Sequence, residues 1–256
     1  MTTTPGYHKK FYSGLSGLQL PIPKYLFPPP YENVSRLTYY ASFFNSIEFN
    51  SSFYKVPQPG TVTKWAASVP DEFRFTFKLW KEITHNKFLN FNEEDIPVFF
   101  RSINAVKSKK GCLLIQLPPG CGRENIHQLE HLLICIMESN PLQEWKIAVE
   151  FRNTSWYHED VYDLLNLYKA ALVIHDIPRS ATPLSGPTSR FLYIRYHGPT
   201  GNYRGSYSED FLRESAALIK EYTDEEKTVF AYFNNTMGEA FDNLKMLNAC
   251  VSNNPH

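Results

Sequence analysis

Eight short apolar runs, each followed by polar or ionisable residues, constrain this chain more than any other feature of its sequence. The runs are rich in Val, Ile, Phe and Tyr, which is typical of β-strands. Several are apolar almost throughout, and this favours parallel strands that are covered on both faces. The runs are residues 11–15, 44–49, 73–78, 112–117, 146–151, 171–175, 191–196 and 228–233.

Helical patterns occupy most of the segments between these runs. Apolar side chains recur every three or four positions in residues 124–139 and again after His158-Glu159-Asp160. Ser208-Glu209-Asp210 offers an N-cap and two negative charges for the start of another helix. Weaker candidates are residues 34–44, 61–68, 97–106 and 239–247. Alternating strands and helices in 256 residues predict an α/β fold, a single and somewhat irregular TIM-type (β/α)8 barrel that spans residues 1–256 as one domain.

Charge and composition limit the kinds of molecule that this protein is expected to bind. Lys plus Arg equals Asp plus Glu at 26 each, and 43% of the residues are hydrophobic, enough for a substantial core. The balanced charge argues against nucleic acid as a partner, and the absence of any apolar run of membrane-spanning length argues against a membrane. The N-terminal residues lack a signal-peptide pattern, so we expect a cytoplasmic protein.

The four cysteines, at positions 112, 121, 135 and 250, form no C-x-x-C pair. We expect buried free thiols in a reducing compartment. Cys121 follows Pro118-Pro119 in a loop, and a nucleophilic role for it is the alternative, although the sequence offers it no evident base.

Polar residues at the strand ends are the candidates for function. In a TIM-type barrel these ends meet at one face, and alternate strand residues point the same way. Charges there are costly to bury without partners, so they form either an ion-pair network that plugs the barrel or a functional site. The candidates are Glu48, Asn50, Lys78, His85, Gln116, Glu150, Arg152, Asp176, Arg195, His197, Asn234 and Asn235.

The ligand chemistry favours an anion over a metal ion. Glu48, Glu150, Asp176 and His197 are suitable ligands for a divalent cation, but Lys78 and the arginines would repel it. We therefore predict no metal and no other cofactor, with a divalent metal as the alternative. Two arginines, Arg152 and Arg195, are suited to carboxylate or phosphate. The Gly-rich residues 197–205 follow the seventh strand, where many barrels bind phosphate, or they form a flexible surface loop.

Proton transfer needs a titratable group near the working pH. His197, with Glu150 or Asp176 across the pocket, meets this description, and His85 is a second candidate. A purely structural histidine is the alternative reading of either residue.

Several ordered motifs resemble the YecE-like family, also called domain of unknown function 72. They are Phe44-Asn45-Ser46-Ile47-Glu48-Phe49-Asn50-Ser51-Ser52-Phe53-Tyr54, Phe73-Arg74-Phe75 through Lys78 with Ile83-Thr84-His85, Gln116-Leu117-Pro118-Pro119, Val149-Glu150-Phe151-Arg152 with Ser155-Trp156, Tyr193-Ile194-Arg195-Tyr196-His197-Gly198-Pro199, and Tyr232-Phe233-Asn234-Asn235-Thr236. The resemblance covers nearly the entire chain. It implies a TIM-type barrel and adds Tyr54 to the strand-end residues. The family's first strand typically reads Gly-Thr-Ser-Gly-Trp, whereas here it is Gly14-Leu15-Ser16-Gly17-Leu18.

These residues predict an enzyme of the hydrolase or isomerase type that acts on a small polar anionic molecule, sugar-like or phosphorylated. In this hypothesis Arg152 and Arg195 hold the anion, Glu150 or Glu48 is the base, and His197 is the acid. The side chains that orient the substrate are those of Asn50, Gln116, Asn234 and Asn235, with Tyr54 as a wall. The alternatives are a non-catalytic binding or sensing protein and a metal-dependent, nuclease-like phosphodiesterase. The sequence makes no prediction of oligomeric state.

Overall fold

All eight predicted runs form β-structure in the computed structural model, which describes residues 10–183 and 190–252. The run at 171–175 divides into two short strands on either side of Val173. The strands are β1 Phe11–Leu15, β2 Ser46–Phe49, β3 Arg74–Lys78, β4 Lys110–Gln116, β5 Lys146–Glu150, β6 Ala171–Leu172, β7 Ile174–His175, β8 Phe191–Tyr196 and β9 Thr228–Phe233.

Each predicted helical segment contains a helix. Ser208 caps α8 as expected: its hydroxyl accepts a hydrogen bond from the Phe211 N–H at 3.3 Å. Two short helices, α2 and α4, follow β2 and β3 directly and were not predicted. The helices are α1 Arg36–Tyr40, α2 Ser51–Tyr54, α3 Pro59–Ala67, α4 Lys81–Thr84, α5 Asp95–Ile103, α6 Ile126–Ser139, α7 Glu159–Leu167, α8 Glu209–Asp224 and α9 Ala240–Ser252.

Every strand pairing is parallel, and the strands form two sheets. One sheet has the order β2-β3-β4-β5-β6 and the other has the order β1-β9-β8-β7. The sheets meet at Val173, whose N–H donates to the Val149 carbonyl at 2.9 Å, and at a parallel bridge between Ser16 and Glu48. The result is an irregular TIM-type α/β fold in which all strand ends face one way, as the sequence predicts.

Alternation along the strands separates an inner from an outer core. On β8, Tyr196 points outward to Phe211 of α8, with ring centroids 6.0 Å apart. Tyr193 points inward, where it packs against Tyr232 of β9 at 5.3 Å. Since Arg195 has the same parity as Tyr193, the inner row of this strand becomes charged at its carboxyl end.

The first two strands approach each other too closely for a side chain at Gly14. A Cβ atom there would lie 2.2 Å from the Ser46 carbonyl oxygen. Glycine is therefore required at this point of β1, and its absent side chain allows β1 and β2 to bring Ser16 and Glu48 together.

Two further expectations concern the helices and the cysteines. Among the helices within residues 10–183 and 190–252, none is long and apolar enough to cross a membrane. All four cysteines are free, and those at 112, 121 and 135 are buried as predicted. The fourth, Cys250, is half-buried.

Candidate functional site

Arg195 lies at the centre of the strand-end residues. Its Nη2 donates to Glu48 Oε1 at 2.7 Å and its Nη1 donates to Glu150 Oε2 at 2.6 Å. Only 1% of Arg195 is exposed, and both glutamates are fully buried. The three residues come from β8, β2 and β5, so this buried ion pair network joins the two sheets.

Glu48 is held by two further donors. The Ser16 hydroxyl donates to its Oε1 at 2.6 Å, and the Tyr193 hydroxyl donates to its Oε2 at 2.5 Å. Every partner of this carboxylate is thus a donor, which is the arrangement that makes a buried negative charge tolerable.

Glu150 is ionised between two arginines. Its second oxygen accepts from Nε of Arg152, which lies two residues further along the chain. Burial alone would raise the pKa of Glu150, but Arg195 and Arg152 hold it well below its usual value. Arg152 also reaches the Tyr203 hydroxyl at 3.3 Å, and its side chain is 12% exposed. Arg152 is therefore the arginine of this network that solvent reaches.

His197 is a neutral acceptor in this network. Its Nε2 lies 3.1 Å from Nη2 of Arg152 and 3.3 Å from Nη1 of Arg195. Guanidinium groups only donate, so Nε2 accepts and the ring proton resides on Nδ1, 3.3 Å from Oδ1 of Asp176. Burial lowers the pKa of His197 to about 4, although Asp176 opposes the shift. The contacts therefore revise the role of acid that the sequence suggested for His197.

Asp176 positions this histidine and the Gly-rich segment. It accepts from the backbone N–H of His197 at 2.8 Å and from the hydroxyl of Tyr207. Tyr207 in turn accepts from the N–H of Gly198 at 2.6 Å, where φ is +96°. Asp176 is thus occupied by positioning contacts, which argues for a supporting role rather than the catalytic one predicted.

Lys78 enters the site from β3. Its Nζ donates to Gln116 Oε1 at 2.8 Å and lies 4.0 Å from the centroid of the Phe53 ring. Burial, followed by the positive charge of Arg195, lowers the pKa of Lys78 to about 8. Lys78 is therefore a cation with an accessible neutral form near physiological pH.

His85 lies on the same side of the site as Lys78. Its ring packs edge-on against Phe53, with centroids 4.7 Å apart, and its Nδ1 lies 2.9 Å from the Thr84 hydroxyl. Partial burial of the ring, then the positive charges of Lys78 and Arg152, lowers the pKa of His85 to about 4. His85 is exposed, so a neutral imidazole faces solvent beside the amine.

The amides differ in what they can offer a ligand. Among the described residues, Asn50 Oδ1 is buried with no hydrogen-bond partner, while its Nδ2 lies 3.5 Å from the Ser16 carbonyl. Asn234 is mostly buried at the end of β9. Asn235 donates to the carbonyl of Gly205 at 3.0 Å and to Oδ1 of Asn243 at 3.1 Å. Asn235 therefore fixes the Gly-rich segment to α9, which revises its predicted substrate-binding role.

Apart from the buried amides Asn50 and Asn234, the predicted strand-end residues form one inner network, a side that opens to solvent, and two outlying positions. The inner network consists of Glu48, Glu150, Arg152, Asp176, Arg195 and His197. Lys78 and His85 form the open side, and Lys78 donates to the buried Gln116. Tyr54 is 68% exposed beside Phe53, and Asn235 supports a loop. Sequence reasoning missed Tyr193, Tyr203 and Tyr207, although the last two lie in or beside the Gly-rich segment it singled out.

The Cys121 thiol does not match an activated nucleophile. Burial, with Glu124 adding to it, raises the pKa of Cys121 to about 11. A thiol with this pKa stays protonated at neutral pH, and the thiolate is the reactive form.

The pH dependence of stability tests the neutral state of His197. Its pKa is about 4 in the fold and 6.5 ordinarily, so the unfolded chain binds the proton more readily. The free energy of unfolding should fall as the pH drops from 6.5 towards 4, by about 3 kcal/mol from this group alone. We expect His197→Gln to flatten this part of the profile in urea denaturation.

The exposed His127 of α6 provides the matched control for this measurement. His127→Gln should keep the wild-type slope. Equal slopes for His197→Gln and wild type would contradict a buried neutral imidazole.

Comparisons with known proteins agree with this architecture. The chain is 26% identical to the UPF0759 protein YunF of Bacillus subtilis over 255 residues, covering 87% of this chain and 88% of that protein. It is 29% identical to the UPF0759 protein YecE of Escherichia coli K12 over 124 residues, 48% of this chain and 44% of that one.

Solved structures show the same fold. A DUF72 family protein of Thermotoga maritima is similar with a TM-score of 0.74 and 26% identity, covering 93% of this chain and 97% of that one. A DUF72 family protein of Enterococcus faecalis gives a TM-score of 0.76 at 22% identity, covering 96% and 97%. The family model described as "Protein of unknown function DUF72" matches residues 12–255, and the chain therefore belongs to this family.

Proposed function

We propose that this protein is an enzyme of the hydrolase or isomerase type whose substrate is a small polar anion, sugar-like or phosphorylated, bound at the carboxyl ends of the strands. The observation that carries the proposal is the presence of two cations where the buried ion network meets the open side: Arg152, the arginine of the network that solvent reaches, and Lys78 on the open side. In TIM-type barrels this face is where active sites lie.

Arg152 is the candidate anion holder. Glu150 fixes its Nε side, while its Nη1 points towards the Tyr203 hydroxyl at the long distance of 3.3 Å. His197 accepts from its Nη2 at 3.1 Å, so Nη1 is the nitrogen left for a carboxylate or phosphate oxygen. Arg195, the other arginine that the sequence suggests for this role, is enclosed by two carboxylates and acts by positioning Glu150.

Lys78 is the candidate for proton transfer. With a pKa of about 8, a usable fraction of its amine is neutral near physiological pH. Glu48 and Glu150, the bases suggested by the sequence, accept hydrogen bonds from arginine and are fully buried. The Lys78 amine therefore replaces them as the proposed base, with Gln116, Asn50 and Asn234 as orienting amides.

The full engagement of the carboxylates also favours a second candidate, a binding or sensing protein without turnover. In that function the same cations hold the anion, and no group needs to exchange a proton with it. The two candidates share a ligand class and differ only in whether the ligand is converted.

A screen of small anionic metabolites, followed by product analysis, tests the proposal. We expect phosphorylated or carboxylated sugars to raise the melting temperature, because a ligand that binds only the folded state stabilises it. Mass spectrometry of the bound compounds should then reveal conversion. Stabilisation without conversion would select the binding protein, and stabilisation by uncharged or cationic compounds alone would contradict both candidates.

A further inference from the structure

A cluster of possible metal ligands lies outside the barrel, on α6 and the turn before α5. It consists of Glu93, His131 and Cys135. One carboxylate oxygen, one imidazole nitrogen and the thiol sulfur all lie within 4.8 Å of one another. None of the three residues takes part in the network described above, so the cluster is independent of the proposed function.

The local structure holds these side chains together. His131 and Cys135 are four residues apart on α6, which places them on one helix face. The Nε2 atom of His131 lies 3.0 Å from Oε1 of Glu93. The Phe91 ring packs against the imidazole with centroids 5.3 Å apart, and the Ile96 N–H fixes the Glu93 carbonyl at 3.1 Å.

We propose that Glu93, His131 and Cys135 form a binding site for a zinc-class divalent ion. Nitrogen, thiolate and carboxylate are the ligands of zinc, and three protein ligands leave the fourth tetrahedral position for water. The presence of sulfur disfavours magnesium and calcium, which prefer oxygen.

The distances need only small adjustments. Zinc bonds of the usual length place neighbouring ligand atoms roughly 3.3–3.8 Å apart. The imidazole and carboxylate lie slightly closer than this, at 3.0 Å, and the thiol is within 4.8 Å of both. Side-chain rotation is therefore sufficient, and as the metal–sulfur bond forms the thiol proton leaves to solvent.

The three ligand side chains differ in exposure, and this gives an ion a route from solvent to the sulfur. The side chain of Glu93 is 63% exposed and that of His131 is 42% exposed, whereas Cys135 is only 8% exposed. A hydrated ion can meet the carboxylate and imidazole first and then the buried sulfur. The bound ion would cross-link α6 to the turn before α5.

Metal binding to chelator-treated full-length protein tests the site. We expect one zinc ion per chain in competition with a chromogenic chelator. Cobalt as a probe should give a thiolate-to-metal charge-transfer band in the near ultraviolet. Loss of an outer-shell partner typically costs a site roughly 10- to 100-fold in affinity, so loss of a direct ligand in His131→Gln or Cys135→Ser should cost more.

Matched controls change the same residue types at positions outside the cluster. Glu94→Gln is the control for Glu93, His127→Gln for His131 and Cys250→Ser for Cys135. All three variants should keep wild-type zinc affinity. If Cys135→Ser does not fold, His131→Gln and Glu93→Gln carry the test at exposed positions. Wild-type affinity in His131→Gln, a cobalt spectrum without the thiolate band, or equal losses in the controls would overturn the site.

Discussion

Replacement of Arg195 by alanine is expected to lower the free energy of unfolding by about 3–5 kcal/mol, the largest stability effect that the structure implies. The substitution leaves two fully buried carboxylates, Glu48 and Glu150, without the cation that lies between them. An uncompensated buried charge is far more costly than a broken surface pair. Urea denaturation at neutral pH measures the loss.

Two comparison variants make this result interpretable. Arg213→Ala removes an exposed arginine that pairs with Glu209 one turn away on α8, and it should have a much smaller effect because solvent screens the pair. Combining Arg195→Met with Glu48→Gln removes one positive and one negative charge, leaves Glu150 paired with Arg152, and should recover part of the stability. A loss in Arg195→Ala no larger than that of Arg213→Ala would contradict a buried network.

Replacement of Lys78 by methionine is expected to lower kcat by about 100- to 10,000-fold for any converted compound, since this is the usual contribution of a positioned acid or base. Methionine keeps an apolar chain of similar length against Phe53 but has no amine. The activity of the wild-type protein should rise with pH through about 8, as the Lys78 amine becomes neutral. Steady-state rates across this range check both statements.

Lys81, an exposed lysine at the start of α4, offers the matched control. Lys81→Met should leave kcat and its pH profile unchanged. Unaltered turnover in Lys78→Met would remove Lys78 from the chemistry and return the role of base to another group.

The strands were predictable because the parallel fold makes their sequence almost continuously apolar. The order of neighbouring strands within the sheets follows from the rule that consecutive strand–helix units lie side by side. The interruption at Val173 was not predictable, because it results from a change of partner between β5 and β8 that the apolar sequence does not record. The same limit applies to α2 and α4, which are only four residues long.

The clustering of the strand-end residues was predictable, but the contacts that each of them makes were not. Strand parity and the shared face were enough to bring Glu48, Glu150 and Arg195 together from three strands. Which groups remain available to a ligand depends on pairing in three dimensions, and sequence spacing does not contain that information. Sequence spacing therefore does not distinguish Arg195 from Arg152, although Arg195 is enclosed between carboxylates and Arg152 reaches solvent.

Asn235 and Tyr54 illustrate the same limit at single residues. Asn234 and Asn235 are adjacent, but alternation sends them to different environments, and Asn235 bonds with Gly205 and Asn243. Tyr54 ends the short helix α2, which leaves its ring largely exposed.

Isothermal titration calorimetry of the most stabilising anion against wild-type and Arg152→Gln protein is the most direct test of an anion site at the strand ends. We expect the affinity to fall at least about tenfold in Arg152→Gln, because the variant loses a charge-assisted hydrogen bond to the anion. Arg213→Gln, on the outer surface of α8, should bind like the wild type. Equal affinities for wild type and Arg152→Gln would contradict the account.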